Sequence, residues 1–117
     1  MIKTVALVAL LGAAGPAVLD ANSRGDAKAQ VEFGINVAQR GLWREAIYRW
    51  ERATELDPSY AAAFNDLAIA YEHEGQLEKA RKAYERAVEL EPSNALIQQN
   101  YELFKEINDR TSRRKTN

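Results

Sequence analysis

Apolar residues between positions 61 and 94 recur at steps of three and four. Phe64, Leu67, Ala68 and Tyr71 fall on one face of a helix predicted over 61–74. Gly75 ends that helix, because the residue after a helix usually takes a left-handed backbone that glycine adopts without Cβ strain. Leu77, Ala80, Ala83, Tyr84, Ala87 and Leu90 form the stripe of a second helix. Pro92 stops it, since proline has no amide proton and restricts the residue before it. Residues 27–60 follow the same plan. Phe33, Gly34 and Val37 mark a first helix and Gly41 a turn. Trp43, Ala46, Ile47, Trp50, Ala53 and Leu56 mark a second helix, with Pro58 beyond it. After Pro92, the residues Ile97, Tyr101, Phe104 and Ile107 predict one more amphipathic helix over 94–109, and Ser93 is placed to cap its start. No second helix follows. Arg110 to Asn117 is polar and basic, and is expected to be a disordered, frayed tail.

The two helical pairs are copies. Gly41 and Gly75 are separated by 34 residues, and the same offset joins Ala46 to Ala80, Ala53 to Ala87, Leu56 to Leu90 and Pro58 to Pro92. Aligning 27–60 with 61–94 gives 12 identities: Ala27, Ala29, Ile35, Gly41, Ala46, Glu51, Arg52, Ala53, Glu55, Leu56, Pro58 and Ser59. Gly34 with Ala68, and Ala46 with Ala80, fall where paired helices must cross closely. Trp50 and Tyr84 are expected to fill the space beside them.

This pattern resembles the tetratricopeptide repeat (TPR): a bulky residue, a large apolar and a small one, an aromatic, a glycine, an alanine, an aromatic, an alanine and a proline. Phe64, Leu67, Ala68, Tyr71, Gly75, Ala80, Tyr84, Ala87 and Pro92 fill it in the second copy. Phe33, Gly34, Gly41, Ala46, Trp50, Ala53 and Pro58 fill it in the first, which departs by having Gln30 and Val37 where aromatics are common. The resemblance implies an all-α fold: repeats 27–60 and 61–94 and a capping helix 94–109, stacked as a short solenoid within a domain of 22–109.

The N-terminal stretch differs from the rest. Met1 and Lys3 precede an uncharged run from Thr4 to Leu19, rich in Ala, Val and Leu and broken by Gly12, Gly15 and Pro16. A membrane-spanning helix needs roughly 20 apolar residues. This shorter, interrupted run reads as a secretory signal over 1–21, with cleavage after Ala21 or Ala17. The expected location is the periplasm or cell envelope, with no membrane span once the signal is removed; an uncleaved N-terminal anchor is the alternative.

Charge and chemistry narrow the function. The formal net charge is -1, so no global basic field points to nucleic acid. There is no cysteine, which excludes disulfides, thiolate metal sites and a cysteine nucleophile. His73 is the one histidine, too few for a zinc site of the usual kind, and reads as a solvated residue near a helix C-terminus. No Gly-rich phosphate loop or serine nucleophile elbow is present. The sequence predicts neither catalysis nor a cofactor.

The TPR resemblance implies a concave surface built from the first helix of each repeat, where partners bind as extended or helical peptides. By repeat register that surface comprises Lys28, Val31, Ile35 and Gln39, then Asn65, Ile69, Glu72 and His73, then Gln99 and Leu103 from the cap. Val31, Ile69 and Leu103 have a competing role as seals between adjacent helices. One TPR subclass grips a terminal carboxylate with Lys, Asn and Arg side chains. The corresponding positions here are Val31, Ile35, Asp66, Leu96 and Asn100, none of them cationic, and Asp66 would repel an anion. The expectation is an adaptor in the cell envelope that holds a protein or peptide partner. The alternative is a self-associating structural module, pairing through the uncovered face of the first helix near Val31.

Overall fold

The computed structural model describes residues 21–116, which form five α-helices and, among the described residues, no strand. They are α1 (Ala21–Gln39), α2 (Trp43–Leu56), α3 (Ala61–His73), α4 (Leu77–Leu90) and α5 (Ala95–Thr116). The signal expected over 1–21 lies outside the described residues save for Ala21, the first residue of α1.

The two glycine turns are built alike. Gly41 and Gly75 have φ of +78° and +75°. In the first turn the Leu42 amide donates to the Val37 carbonyl at 2.9 Å and the Gly41 amide to Ala38 at 2.9 Å. In the second, Gln76 donates to Tyr71 at 2.8 Å and Gly75 to Glu72 at 3.0 Å. Both are the paired closure in which a left-handed residue lets the chain bond back onto the last turn. The tight return lays α2 on α1 and α4 on α3, and the pairs join by α2 packing on α3 and α4 on α5.

Small residues set the helix spacing. Ala46, Ala53, Ala68, Ala80 and Ala87 are fully buried. Trp50 lies over Gly34 so closely that a Cβ there would sit 2.3 Å from its Nε1. The indole N–H donates to the Val31 carbonyl at 3.1 Å, so burial leaves this donor satisfied. Tyr84 and Phe104 are the largest fully buried side chains, with ring centroids 5.2 Å apart; Phe104 thereby seats α5 on the second repeat.

Two expectations change. Asn94, not Ser93, caps α5: its Oδ1 accepts from the Ile97 amide at 3.2 Å, while Ser93 lies in the turn before it. The segment after Asp109, expected to be disordered, continues α5 to Thr116. No glycine or proline interrupts it, Arg110 pairs with Glu106, and the cations of the last turn, Arg113, Arg114 and Lys115, suit the negative end of the helix dipole. Glu51 and Glu85, at equivalent positions of the two repeats, tie successive helices together. Glu51 accepts from Tyr71 at 2.7 Å and Glu85 from Tyr101 at 3.3 Å. Their neighbours Arg52 and Arg86 do stay outside, each paired three residues on with Glu55 and Glu89.

Candidate functional site: a groove between the first helices

Helical periodicity gives α1 two working faces. Ala27, Val31, Gly34 and Val37 are buried and make up the face toward α2 and the core. Ile35 and Gln39, one and two positions round from Gly34 and Val37, are exposed. α3 is buried on nearly every side, with Ala61, Ala63, Asn65, Leu67, Ala68, Ala70 and Tyr71 all enclosed. Ile69 remains exposed and Asp66 half-buried.

These leftover faces meet in a groove of about 330 Å³, lined by Ile35, Ala38 and Gln39 from α1, Trp43 and Trp50 from α2, and Asp66 and Ile69 from α3. Asp66 is its one charged lining residue. Burial pushes the Asp66 carboxyl up to about 6, while a hydrogen bond with the neighbouring Asn65 works against the rise. The same carboxylate contributes, after burial itself, to holding the Tyr60 phenol above its usual range; Glu32 and Asp57 add to that field. At the rim, His73 stacks on Trp43 with ring centroids 4.2 Å apart.

Of the ten residues placed on the binding surface by register, Ile35, Gln39 and Ile69 line this groove. His73 reaches it through its stack on Trp43. Two residues are corrected. Val31 is only 5% exposed: it lies on the α2-facing side of α1, and its carbonyl receives the Trp50 indole. Asn65 is 6% exposed because α5 covers it, Asn100 donating to its Oδ1 at 3.2 Å. Neither presents a side chain to a partner. Glu72 is half-buried and accepts from the Tyr84 hydroxyl at 3.0 Å. Lys28, Gln99 and Leu103 are exposed but do not line the groove.

Register alone missed four lining residues: Ala38, Trp43, Trp50 and Asp66. Both tryptophans were read as core, and each serves twice: Trp50 is 4% exposed and Trp43 half-buried, yet both contribute ring surface to the groove. The signal was in the glycine at 34. A large indole seated over a residue without a side chain stands close to the helix surface on its far side.

A family model described as "Tetratricopeptide repeat" matches residues 61–94, the second unit as delimited by sequence, and one described as "TPR repeat" matches residues 38–74. The chain carries tetratricopeptide repeats. Its sequence is 40% identical over 50 residues to the TPR repeat-containing protein YpiA of Bacillus subtilis (strain 168), a match covering 43% of this chain and 12% of YpiA. Among solved structures it superposes on the crystal structure of MamA with a TM-score of 0.68 and 26% sequence identity, covering 74% of this chain and 50% of that one. The TPR chain thus spans a small part of YpiA and half of MamA. Among the described residues no helix is long and apolar enough to cross a membrane, and no group of three or more His, Cys, Asp or Glu is placed to hold a metal ion.

Proposed function

We propose that this TPR protein is a non-catalytic adaptor, exported to the cell envelope, that holds a peptide or helix of a partner protein on its concave face. The observation that carries this is the groove between α1 and α3: two isoleucines and two tryptophans line an open surface at the family's usual place for a partner. Apolar and aromatic side chains of this kind supply binding energy when water is excluded from them. Export rests on the sequence of the first 21 residues.

The test is affinity capture of the tagged protein from envelope extract, with an Ile35→Lys/Ile69→Lys variant beside it. Both positions are exposed, so the variant is expected to fold like the parent, which circular dichroism checks. A specific protein held by the parent and lost with the variant supports the reading. A partner retained by the variant moves binding off the groove.

A second reading, self-association, is favoured by α5. Leu96, Leu103 and Ile107 are 62%, 55% and 50% exposed and recur at steps of seven and four along one side of that helix. Sedimentation over a range of concentrations tests it, with Leu103→Asp as the variant expected to return any dimer to monomer. A strict monomer at high concentration removes it.

A further inference from the structure

Two side chains show most closely how the chain holds a cation of its own. Arg49 lies over the Phe33 ring at 4.1 Å while pairing with Glu45 at 3.0 Å. Lys105 lies over the Tyr101 ring at 4.4 Å while pairing with Glu102 at 2.8 Å. Each site joins an aromatic face to a carboxylate, both of which attract positive charge. The groove between α1 and α3 contains the same two components, aromatic surface from Trp43 and Trp50 and the Asp66 carboxylate. Here no cation of the chain is supplied: among the described residues no lysine, arginine or histidine forms an ion pair with Asp66. The remaining lining residues are apolar, apart from the neutral amide of Gln39.

We infer that the groove selects its partner segment by an arginine or lysine side chain, whose apolar stem lies along Ile35 and Ile69 and whose cationic head meets the Asp66 carboxylate. This rests on the adaptor reading and deepens it by naming the chemistry recognised. A volume of about 330 Å³ is at the small end for a ligand pocket and suits one long side chain with its adjoining backbone. Long cationic side chains bury their methylenes on apolar walls while the head stays with a polar partner, which is the layout of this groove. Anionic segments are rejected, because an acidic side chain would be desolvated against a carboxylate of like charge. The partner is another protein that exposes a basic residue in a segment free to lie along α1 and α3.

The experiment uses the full chain and its own fluorescence. Trp43 and Trp50 are its only tryptophans and both line the groove, so emission reports occupancy there. The probes are acetylated and amidated pentapeptide pools whose central residue is arginine, lysine, citrulline or glutamate and whose other positions vary over Ala, Leu, Ser and Gln. The arginine and lysine pools are expected to change the emission saturably and to bind at least about tenfold more tightly than the citrulline pool, as a hydrogen bond to a charged group implies. The glutamate pool is expected to bind least. In Asp66→Asn the preference for arginine over citrulline is expected to vanish. Equal binding of arginine and citrulline pools to the parent would overturn cation selection while leaving a peptide-binding groove in place. A captured envelope partner that survives Ile35→Lys/Ile69→Lys, together with no fluorescence response to any pool, would overturn both readings. Sedimentation of the chain alone covers the remaining occupant. A dimer dispersed by Asp66→Asn and by Arg113→Glu/Arg114→Glu would assign the groove to a second copy's basic helix end and overturn the external partner.

Discussion

In the first repeat the Trp50 indole lies against Gly34; in the second, Tyr84 and Ala68 occupy the equivalent positions. The larger aromatic goes with the residue that has no side chain, and the smaller with one methyl group, so the two helix crossings conserve volume by opposite routes. The polar ends differ as well. Both donate within their own repeat, but Trp50 to a backbone carbonyl, that of Val31, and Tyr84 to a side chain, the Glu72 carboxylate at the edge of α3. The first helices diverge further. Phe64 and Tyr71 of α3 replace Gln30 and Val37 of α1, and Tyr71 adds a hydrogen bond to Glu51 that couples the second repeat to the first. Burial, then the hydrogen bond and charge of Glu51, hold the Tyr71 phenol above its ordinary range. The first helix of the second repeat, α3, is thus enclosed on nearly every side, whereas α1 keeps one face open. One family pattern accommodates both because it fixes the backbone spacing and leaves the filling to complementary pairs.

The largest effect should follow from filling a position that both repeats keep small. Ala80 and Ala46 are fully buried. Arginine at Ala80 adds overpacking, about 1–3 kcal/mol, to the cost of burying an uncompensated charge. A loss above about 3 kcal/mol is expected in denaturant unfolding, with a similar loss at Ala46. A variant of Ala80→Arg that melts with the parent would reject the packing described.

Next comes the pair that distinguishes the repeats. Gly34→Ala places a methyl group 2.3 Å from Trp50 Nε1, so the indole must move and its buried N–H loses the Val31 carbonyl. Overpacking and the orphaned donor together predict a loss of about 2–4 kcal/mol. Gly34→Ala/Trp50→Tyr rebuilds the second repeat's pair in the first, and should recover at least half of it. Independent, additive losses in the double mutant would break the comparison.

A smaller and pH-dependent effect separates Asp66 from its repeat equivalent, the exposed Glu32. With its carboxyl pushed up to about 6 by burial, Asp66 holds its proton more tightly when folded than when unfolded. Its contribution to stability is therefore greatest below about pH 4 and is lost as pH rises through about 6. Asp66→Asn should raise stability at pH 8 by about 1–2 kcal/mol after solvent screening, and the gain should fade by pH 4. Glu32→Gln should change stability by less than about 0.5 kcal/mol at either pH.

A modest effect is expected at Gln30, whose Oε1 is buried without a hydrogen-bond partner. Its counterpart is Phe64. Gln30→Leu should stabilise by about 1 kcal/mol by removing an unpaired polar atom. An unchanged or lowered melting temperature would indicate that solvent satisfies the amide after all.

Much of this architecture was legible before any coordinates. The glycine turns, the proline stops and the 34-residue offset mark where the four repeat helices end, because backbone φ limits and helical period act locally, although α1 begins at Ala21, well before the repeat read from residue 27. The binding surface was less legible. Repeat register placed Val31 and Asn65 outward, although the spacing of Ala27, Val31 and Gly34 already marks a buried stripe. Nothing local reveals that α5 covers Asn65, since that contact joins residues 35 apart. The roles of Glu51 and Glu85 were hidden for the same reason: a glutamate on an outer helix face looks solvated until the next helix brings a tyrosine hydroxyl to it.

The sequence by itself determined where each repeat helix turns and stops, which faces are apolar, and that the chain is a repeat, because these depend on residues a few positions apart. Only the tertiary structure decided which apolar residues stay open. Ile35, Trp43, Trp50, Asp66 and Ile69 come from three helices, and what they do depends on how those helices cross. Crossing is set by Gly34 against Trp50, a contact 16 positions apart in the chain, and so the groove belongs to the packing and not to any one segment.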